Sequence, residues 1–376
     1  MSAVGLPARA YAAALAAVPA MSLRRLAALL REHPPEEAYA VVGGRCAPRG
    51  AIVTALRDPA LATRWRVAAT PELVEQVWLR CAAVGVEVEH LGATSYPAQL
   101  DGTDAPPVLF LRGDRSLLDD GRRVAIVGTR NATAAGREAT RRIAAGLADA
   151  GVHVVSGLAR GVDGCAHRAV VEQEGPGRAI GVVASGLDVV YPREHCDLWR
   201  RVAETGVLVS ESPPGTSPEA FRFPLRNRII AGLAEVVVVV ESRQRGGSLI
   251  TATLAGERGI PVMAVPGSVH NPAAAGTNEL LRTGAAPVLD ASDVLVALAL
   301  DHRRAAPALT ETRQRPRRVD LPVYEACAGE PRTIDGIIAG VGADLIDVAM
   351  SLARLEQSGW VVETDGWYQA VGALLR

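Results

Sequence analysis

Between Asp114 and Leu300 six short apolar runs rich in valine and isoleucine punctuate the chain: Val124–Val127, Val152–Val155, Ile180–Ala184, Val207–Ser210, Val236–Val240 and Val262–Val265. Helix-patterned stretches lie between them, for example Arg137–Ala150 and Ser248–Arg258. A strand buried on both faces reads as a continuous apolar run, because helices cover each side of a parallel sheet. The alternation therefore predicts an α/β fold, a doubly wound sheet with Val236–Val240 as a central strand. Ligands of such sheets bind at the C-terminal ends of the strands.

The regions on either side differ. Up to residue 82 the Leu, Ala and Val spacing is helical, which predicts a small all-helical domain over 1–82. The sheet-bearing domain takes 83–300, beginning with a bridge from Val86 to Gly113 in which Tyr96-Pro97 and Pro106-Pro107 suggest short extended pieces and turns. Residues 301–319 are rich in Arg, Pro and Ala with little apolar periodicity, and read as a linker. From 320 to 376, helices at Val323–Ala328, Thr333–Ile338 and Asp344–Ser358 precede a hairpin whose turn is signalled by Asp365-Gly366. That order predicts a C-terminal winged-helix domain.

Charge does not announce a nucleic-acid binder. The net charge of the 376 residues is −1, so any affinity for a polyanion must come from a local patch. The chain has no lysine; every basic side chain is an arginine, able to grip phosphate with a planar fork. The five cysteines, Cys46, Cys81, Cys165, Cys196 and Cys327, are scattered and form no C-x-x-C pair, which argues against a disulfide framework or a zinc site. No signal-peptide pattern opens the chain, and the apolar Tyr11–Ala20 stretch is too short to span a bilayer. A soluble cytoplasmic protein without membrane, metal or cofactor is the expectation.

Glycines and arginines gather at the strand ends. Gly128-Thr129-Arg130 closes the first run, where a glycine admits phosphate to the backbone and the next helix presents N–H groups. Asn131–Ala135 contain no glycine, so the G-x-G-x-x-G dinucleotide fingerprint is absent. The second run ends in Gly157, Arg160 and Asp163, with His167 one helical turn beyond. Asp163 with His167 lacks both a third metal ligand and a nucleophile, so helix capping explains the pair better than catalysis. The third unit ends in Tyr191-Pro192-Arg193. The segment Phe221-Arg222-Phe223-Pro224-Leu225-Arg226-Asn227-Arg228 holds two of the chain's three phenylalanines among three arginines. This is the composition of a single-strand groove, in which rings stack bases and guanidinium groups hold phosphates. Gly247-Ser248 opens a helix after the valine run and offers N–H groups to an anion; without a lysine it is no P-loop.

In this order the motifs resemble the DNA-processing DprA/Smf family. Gly128-Thr129-Arg130 is similar to its G-S-R strand end, and Gly157–His167 to its G-L-A-x-G-I-D-x-x-A-H stretch. Gly186–Pro192, Ser210-Glu211, Phe223–Leu233, Gly247–Ala252 and Pro266-Gly267 follow in sequence. The resemblance implies an extended Rossmann-like fold, a homodimer, single-stranded DNA in a basic pocket, and loading of the RecA recombinase during natural transformation or recombination. It makes the N-terminal helices sterile-alpha-motif-like. Their first turn, Val18–Ser22, lacks the glycine that brings backbone amides to phosphate, so strong DNA binding by this region alone is not expected. The candidate nucleic-acid contacts are Gly128, Thr129, Arg130, Gly157, Arg160, Arg193, Phe221, Arg222, Phe223, Arg226, Asn227, Arg228, Gly247 and Ser248, with no catalytic residue.

From Asp320 to the end nine acidic residues face three basic ones, a net charge of −6. A winged helix so charged repels phosphate, which points to a protein-interaction or regulatory module and away from a winged-helix transcription regulator. The main enzymatic alternative is a Rossmann-like nucleotide phosphoribohydrolase of the lysine-decarboxylase-like family. Its P-G-G-x-G-T-x-x-E signature is absent: Gly246-Gly247 is followed by Ser248–Thr251, with no carboxylate before Glu257.

Overall fold

The computed structural model describes residues 5–173, 175–300, 315–328, 332–364 and 366–370. Most of the expected linker (301–314), and Asp365 of the expected hairpin turn, lie outside the described residues. The chain divides into two compact units, Met1–Ala305 and Ala306–Arg376.

The first unit begins with six helices, α1 (Ala8–Ala17), α2 (Leu23–Glu32), α3 (Pro35–Val42), α4 (Ile52–Ala55), α5 (Pro59–Ala68) and α6 (Pro71–Ala83). Ser22, Asp58 and Thr70 cap α2, α5 and α6 by accepting from backbone N–H groups of the first turn. In the turn between α1 and α2, Ala20 stands at φ 63°, the left-handed conformation a glycine holds without strain.

The sheet follows: β1 (Glu87–His90), β2 (Val108–Gly113), β3 (Arg123–Val127), β4 (His153–Ser156), β5 (Ala179–Val183), β6 (Val207–Ser210), β7 (Val236–Val239), β8 (Val262–Ala264) and β9 (Ala286–Pro287). Between and after its strands run α7 (Ala134–Asp149), α8 (Val162–Glu172), α9 (Cys196–Thr205), α10 (Arg222–Leu233), α11 (Gly247–Glu257), α12 (Ala275–Arg282) and α13 (Ala291–Leu300). The strand order is β1-β2-β6-β5-β4-β3-β7-β8-β9. Every pairing from β6 to β9 is parallel, as the βα alternation predicts; β1 and β2 add an antiparallel edge. The bridge of turns and short extended pieces thus contributes two strands of the main sheet.

Period-two alternation divides each strand between two cores. Val124, Ile126, Val236 and Val238 point into one; Ala125, Val127, Val237 and Val239 into the other. Each fully buried valine stabilises the fold by roughly 1.5–3 kcal/mol. Strand β7 is buried along its whole length, flanked by β3 and β8. The N-terminal helices share the first core with β1 and β2, and the carboxylate of Glu89, 0% exposed, fastens them: it accepts from Arg9 at 3.0 Å and Ser95 at 2.6 Å and pairs with Arg115.

The second unit contains α14 (Leu321–Ala328), β10 (Arg332–Thr333), α15 (Ile334–Val341), α16 (Leu345–Gln357), β11 (Val361–Thr364) and β12 (Trp367–Ala370). Its strands form an antiparallel sheet ordered β10-β12-β11. Tyr324 meets Trp360 edge-on at 5.7 Å in its core, and Arg354 grips Asp320 with Nη2 at 2.6 Å and Nε at 3.1 Å. No single helix among the described residues is long and apolar enough to cross a membrane.

Candidate nucleic-acid interface

Strand β4 follows β3 on one side of it, and β7 lies on the other, so the winding reverses between β3 and β7. Loops leave such a switch point in opposite directions and open a crevice at the strand ends. A cleft of about 600 Å³ lies there. Its walls are the end of β3 with Gly128–Arg130, Ala159 and Asp163 at the start of α8, Phe223, Asn227 and Ile230 on α10, and the loop from Arg243 into α11.

One wall carries a stack of rings and cation. The Arg130 guanidinium sits 4.8 Å from the centre of the Phe223 ring, and Tyr191 approaches the same ring at 5.6 Å with a 50° tilt. Tyr191 remains 44% exposed. Rings and a guanidinium at one spot offer a base a stacking surface and its phosphate a fork.

The opposite wall is the start of α11. Gly246 precedes it without a side-chain cap, and beside Gly247 there is open space. Ser248 turns its hydroxyl inward to donate to Ser242 Oγ at 2.9 Å, so its side chain does not block the helix end. Asn227 donates to the Gly247 carbonyl at 3.4 Å, while Arg243 and Arg245 are exposed on the cleft rim. An uncapped helix start between two arginines attracts anions through its dipole and free N–H groups.

The turn after β3 differs from its sequence expectation. Glu241 occupies the start of α7, accepting from the Thr133 backbone at 2.9 Å and from Thr133 Oγ1 at 2.5 Å, while Thr133 caps Gly136. A side-chain carbon on Gly136 would lie 2.2 Å from the Glu241 carboxyl, and one on Gly128 would strike Val162 at 2.5 Å. The Thr129 N–H is spent on the Glu241 carbonyl at 2.7 Å. These glycines admit neighbouring protein groups, and an internal carboxylate fills the anion position at the start of α7.

Beneath the cleft lies a buried polar group of a different kind. Arg226 donates through Nη1 to the carbonyls of Gly157, at 2.8 Å, and Val182. Asp163 accepts from the Gly157 N–H at 3.1 Å. Burial pushes the Asp163 carboxyl up, opposed by the charge of Arg226, and pushes Arg226 down to about 10, opposed by Asp163. His167, 0% exposed, meets the Ile180 carbonyl at 3.2 Å, and burial holds it down to about 3. Unfolded, the same imidazole takes up a proton near pH 6.5. Below that value the unfolded chain binds a proton the folded chain refuses, so stability falls with falling pH by up to about 1.4 kcal/mol per unit. A urea midpoint lower at about pH 5 than at about pH 7, with His167→Asn flattening the difference, is the expected outcome. Equal midpoints in the unsubstituted chain would contradict it.

The structure therefore brings Arg130, Phe223, Asn227, Gly247 and Ser248 together around one cleft, with Gly128 and Thr129 behind them. Gly157 and Arg160 line a smaller adjoining pocket, where Arg160 is locked bidentate to Glu194 at 2.5 and 2.6 Å. Arg193 is exposed in the neighbouring short helix. Arg228 is half-buried against Glu211 at 2.5 Å, and Phe221 and Arg222 face away from the cleft. The expected contacts did not include Arg243 or Arg245, although both stand in the loop between the valine run and Gly247. Tyr191, which stands in the third strand-end loop and was not among the expected contacts, also lines the cleft.

A Rossmann-like sheet with a switch-point cleft lined by arginines, rings and an open helix start has the architecture of α/β proteins that take their ligand at the strand ends. The chain belongs to the DNA recombination-mediator protein A family, whose sequence profile matches residues 88–299. It is 43% identical over 211 residues to DNA processing protein DprA of Bacillus subtilis, covering 56% of this chain and 70% of that protein. Protein Smf of Escherichia coli is 37% identical over 280 residues, covering 73% and 74%. Among solved structures, DprA of Streptococcus pneumoniae superposes with a TM-score of 0.67 at 30% identity, covering 76% of this chain and 97% of that one. The structure describing the single-stranded DNA binding mode of Helicobacter pylori DprA gives a TM-score of 0.51 at 30% identity, covering 56% and 95%. This membership places the protein in DNA processing.

Proposed function

We propose that the protein binds single-stranded DNA in the β3–β7 cleft, without reading sequence, and passes the strand to the RecA recombinase as a homodimer. The observation that carries this reading is the Arg130–Phe223–Tyr191 stack facing an uncapped α11 start flanked by Arg243 and Arg245. Exposed rings favour bases that are free to unstack, which a duplex does not offer. The described strand-binding mode of the H. pylori relative supports the choice of ligand. A binding role without catalysis fits the acid groups at the site: Asp163 accepts from the Gly157 N–H, and Glu241 caps α7. The acidic residues 320–376 act in this reading as a protein-interaction or regulatory module.

The test is fluorescence anisotropy on unrelated single-stranded and duplex oligonucleotides, followed by the rate of RecA nucleation on single strands with and without the protein. Tighter binding to every single strand than to duplex, and faster nucleation, are expected. Removal of 320–376 should leave strand affinity unchanged. Preference for duplex would overturn the ligand, and unaltered nucleation would overturn the recombinase role.

A further inference from the structure

Phe221 and Arg222 open onto a second groove, of about 870 Å³, between the α1–α2 turn and the stretch from Pro213 to Leu225. Phe221 is 58% exposed, and the Arg222 guanidinium lies over its ring at 5.0 Å. This repeats outside the cleft the arginine-on-phenylalanine pair found within it. Arg24 of α2 lines the same groove, is exposed, and forms no ion pair among the described residues. The other charged groups there are paired, Arg222 with Glu219 at 3.1 Å, Arg80 with Asp188 at 2.9 Å and Glu211 with Arg228 at 2.5 Å, so Arg24 leaves the groove an unbalanced positive charge.

The groove and the cleft meet at the start of α10. Residues two apart on a helix point to nearly opposite sides, so Phe223 faces the cleft and Phe221 the groove, on the order of 10 Å apart. A flexible strand leaving the cleft crosses that distance within a few nucleotides.

We propose that the groove is a second subsite for the same single-stranded DNA, carrying the strand from the cleft toward the N-terminal helices. Phe221 stacks a base, while Arg24 and Arg222 hold phosphates, the latter in competition with Glu219. This rests on the reading of the cleft as a single-strand site. The charge and the exposed ring suit a strand with accessible bases and not an apolar peptide.

The experiment measures the affinity of the full chain for oligodeoxythymidylates of about 6 and about 20 nucleotides, lengths chosen to fill the cleft alone or the cleft and groove. Phe221→Ala and Arg24→Glu, both at exposed positions, are compared with Arg130→Ala, and a thermal melt confirms folding. Phe221→Ala is expected to weaken the long oligomer about fivefold or more, the lower range for removing one base stack, and to leave the short one unchanged. Arg24→Glu is expected to follow the same pattern. Wild-type binding of the long oligomer by both variants would overturn the second subsite, while Arg130→Ala still weakening both lengths would leave the cleft intact. Equal losses on both lengths in Phe221→Ala would put that ring in the cleft's own footprint and also overturn the proposal. No loss in Arg130→Ala would overturn both readings.

Discussion

Replacing Arg226 by alanine is expected to destabilise the fold by about 3 kcal/mol, the scale of leaving two buried carbonyls without their donor at roughly 1–3 kcal/mol each. The guanidinium is 6% exposed and joins the ends of two strands by donating to the carbonyls of Gly157 on β4's end and Val182 on β5. It is also the principal charge opposing the burial of Asp163. Alanine leaves the Gly157 and Val182 carbonyls without their donor and removes the charge that opposes the burial of Asp163. Urea denaturation measures the change; a midpoint within experimental error of the unsubstituted chain would show that the group is not structural. Arg226→Lys keeps the charge but loses the fork, so it should fall between the two.

Arg130→Ala is the largest expected effect on binding. The side chain is exposed, so the fold should survive, as a melt will verify. The substitution removes the free cation at the tip of β3 and one layer of the stack on Phe223. Without a charge-assisted hydrogen bond to phosphate and without that stacking partner, single-strand affinity should weaken at least about tenfold. The effect should be the same for unrelated sequences, because neither interaction reads a base edge. Weakening confined to one sequence would instead assign Arg130 to base recognition.

These two arginines show what the sequence could and could not reveal. The sheet was legible because doubly buried strands leave continuous apolar runs: all six runs between 114 and 300 became strands β3 to β8. The bridge of short extended pieces did not reveal its place in the sheet, because β1 pairs only with β2 and β2 joins the sheet through β6, about a hundred positions away. The segment Phe221–Arg228 reads linearly as a comb of aromatic and basic teeth. Once α10 forms, the helical period fans those teeth apart. Phe223 and Asn227 reach the cleft, Arg226 sinks beneath it, Arg222 turns to the groove and Arg228 pairs with Glu211. Linear spacing holds no record of which face is covered; that depends on the packing of α10 against the sheet.

The turn at Gly128–Gly136 teaches a related point. A glycine after a strand is needed equally for a phosphate and for a neighbouring protein group. Glu241 lies more than a hundred residues from Thr133, so no local pattern announces that it fills the helix start. In the proposed reading the anion position is the start of α11, where Gly246 and Gly247 stand at the helix end and the Ser248 hydroxyl is engaged elsewhere.

The central claim is that arginines at the β3–β7 switch point hold the phosphates of a single strand. Its most direct test is the dependence of affinity on salt, comparing the unsubstituted chain with one in which Arg130, Arg243 and Arg245 are alanine. Each phosphate deprived of its arginine should reduce the slope of log K against log salt by roughly 0.7, so removing all three arginines should reduce it by about 2. An unchanged slope, with affinity retained, would place the DNA somewhere other than this cleft.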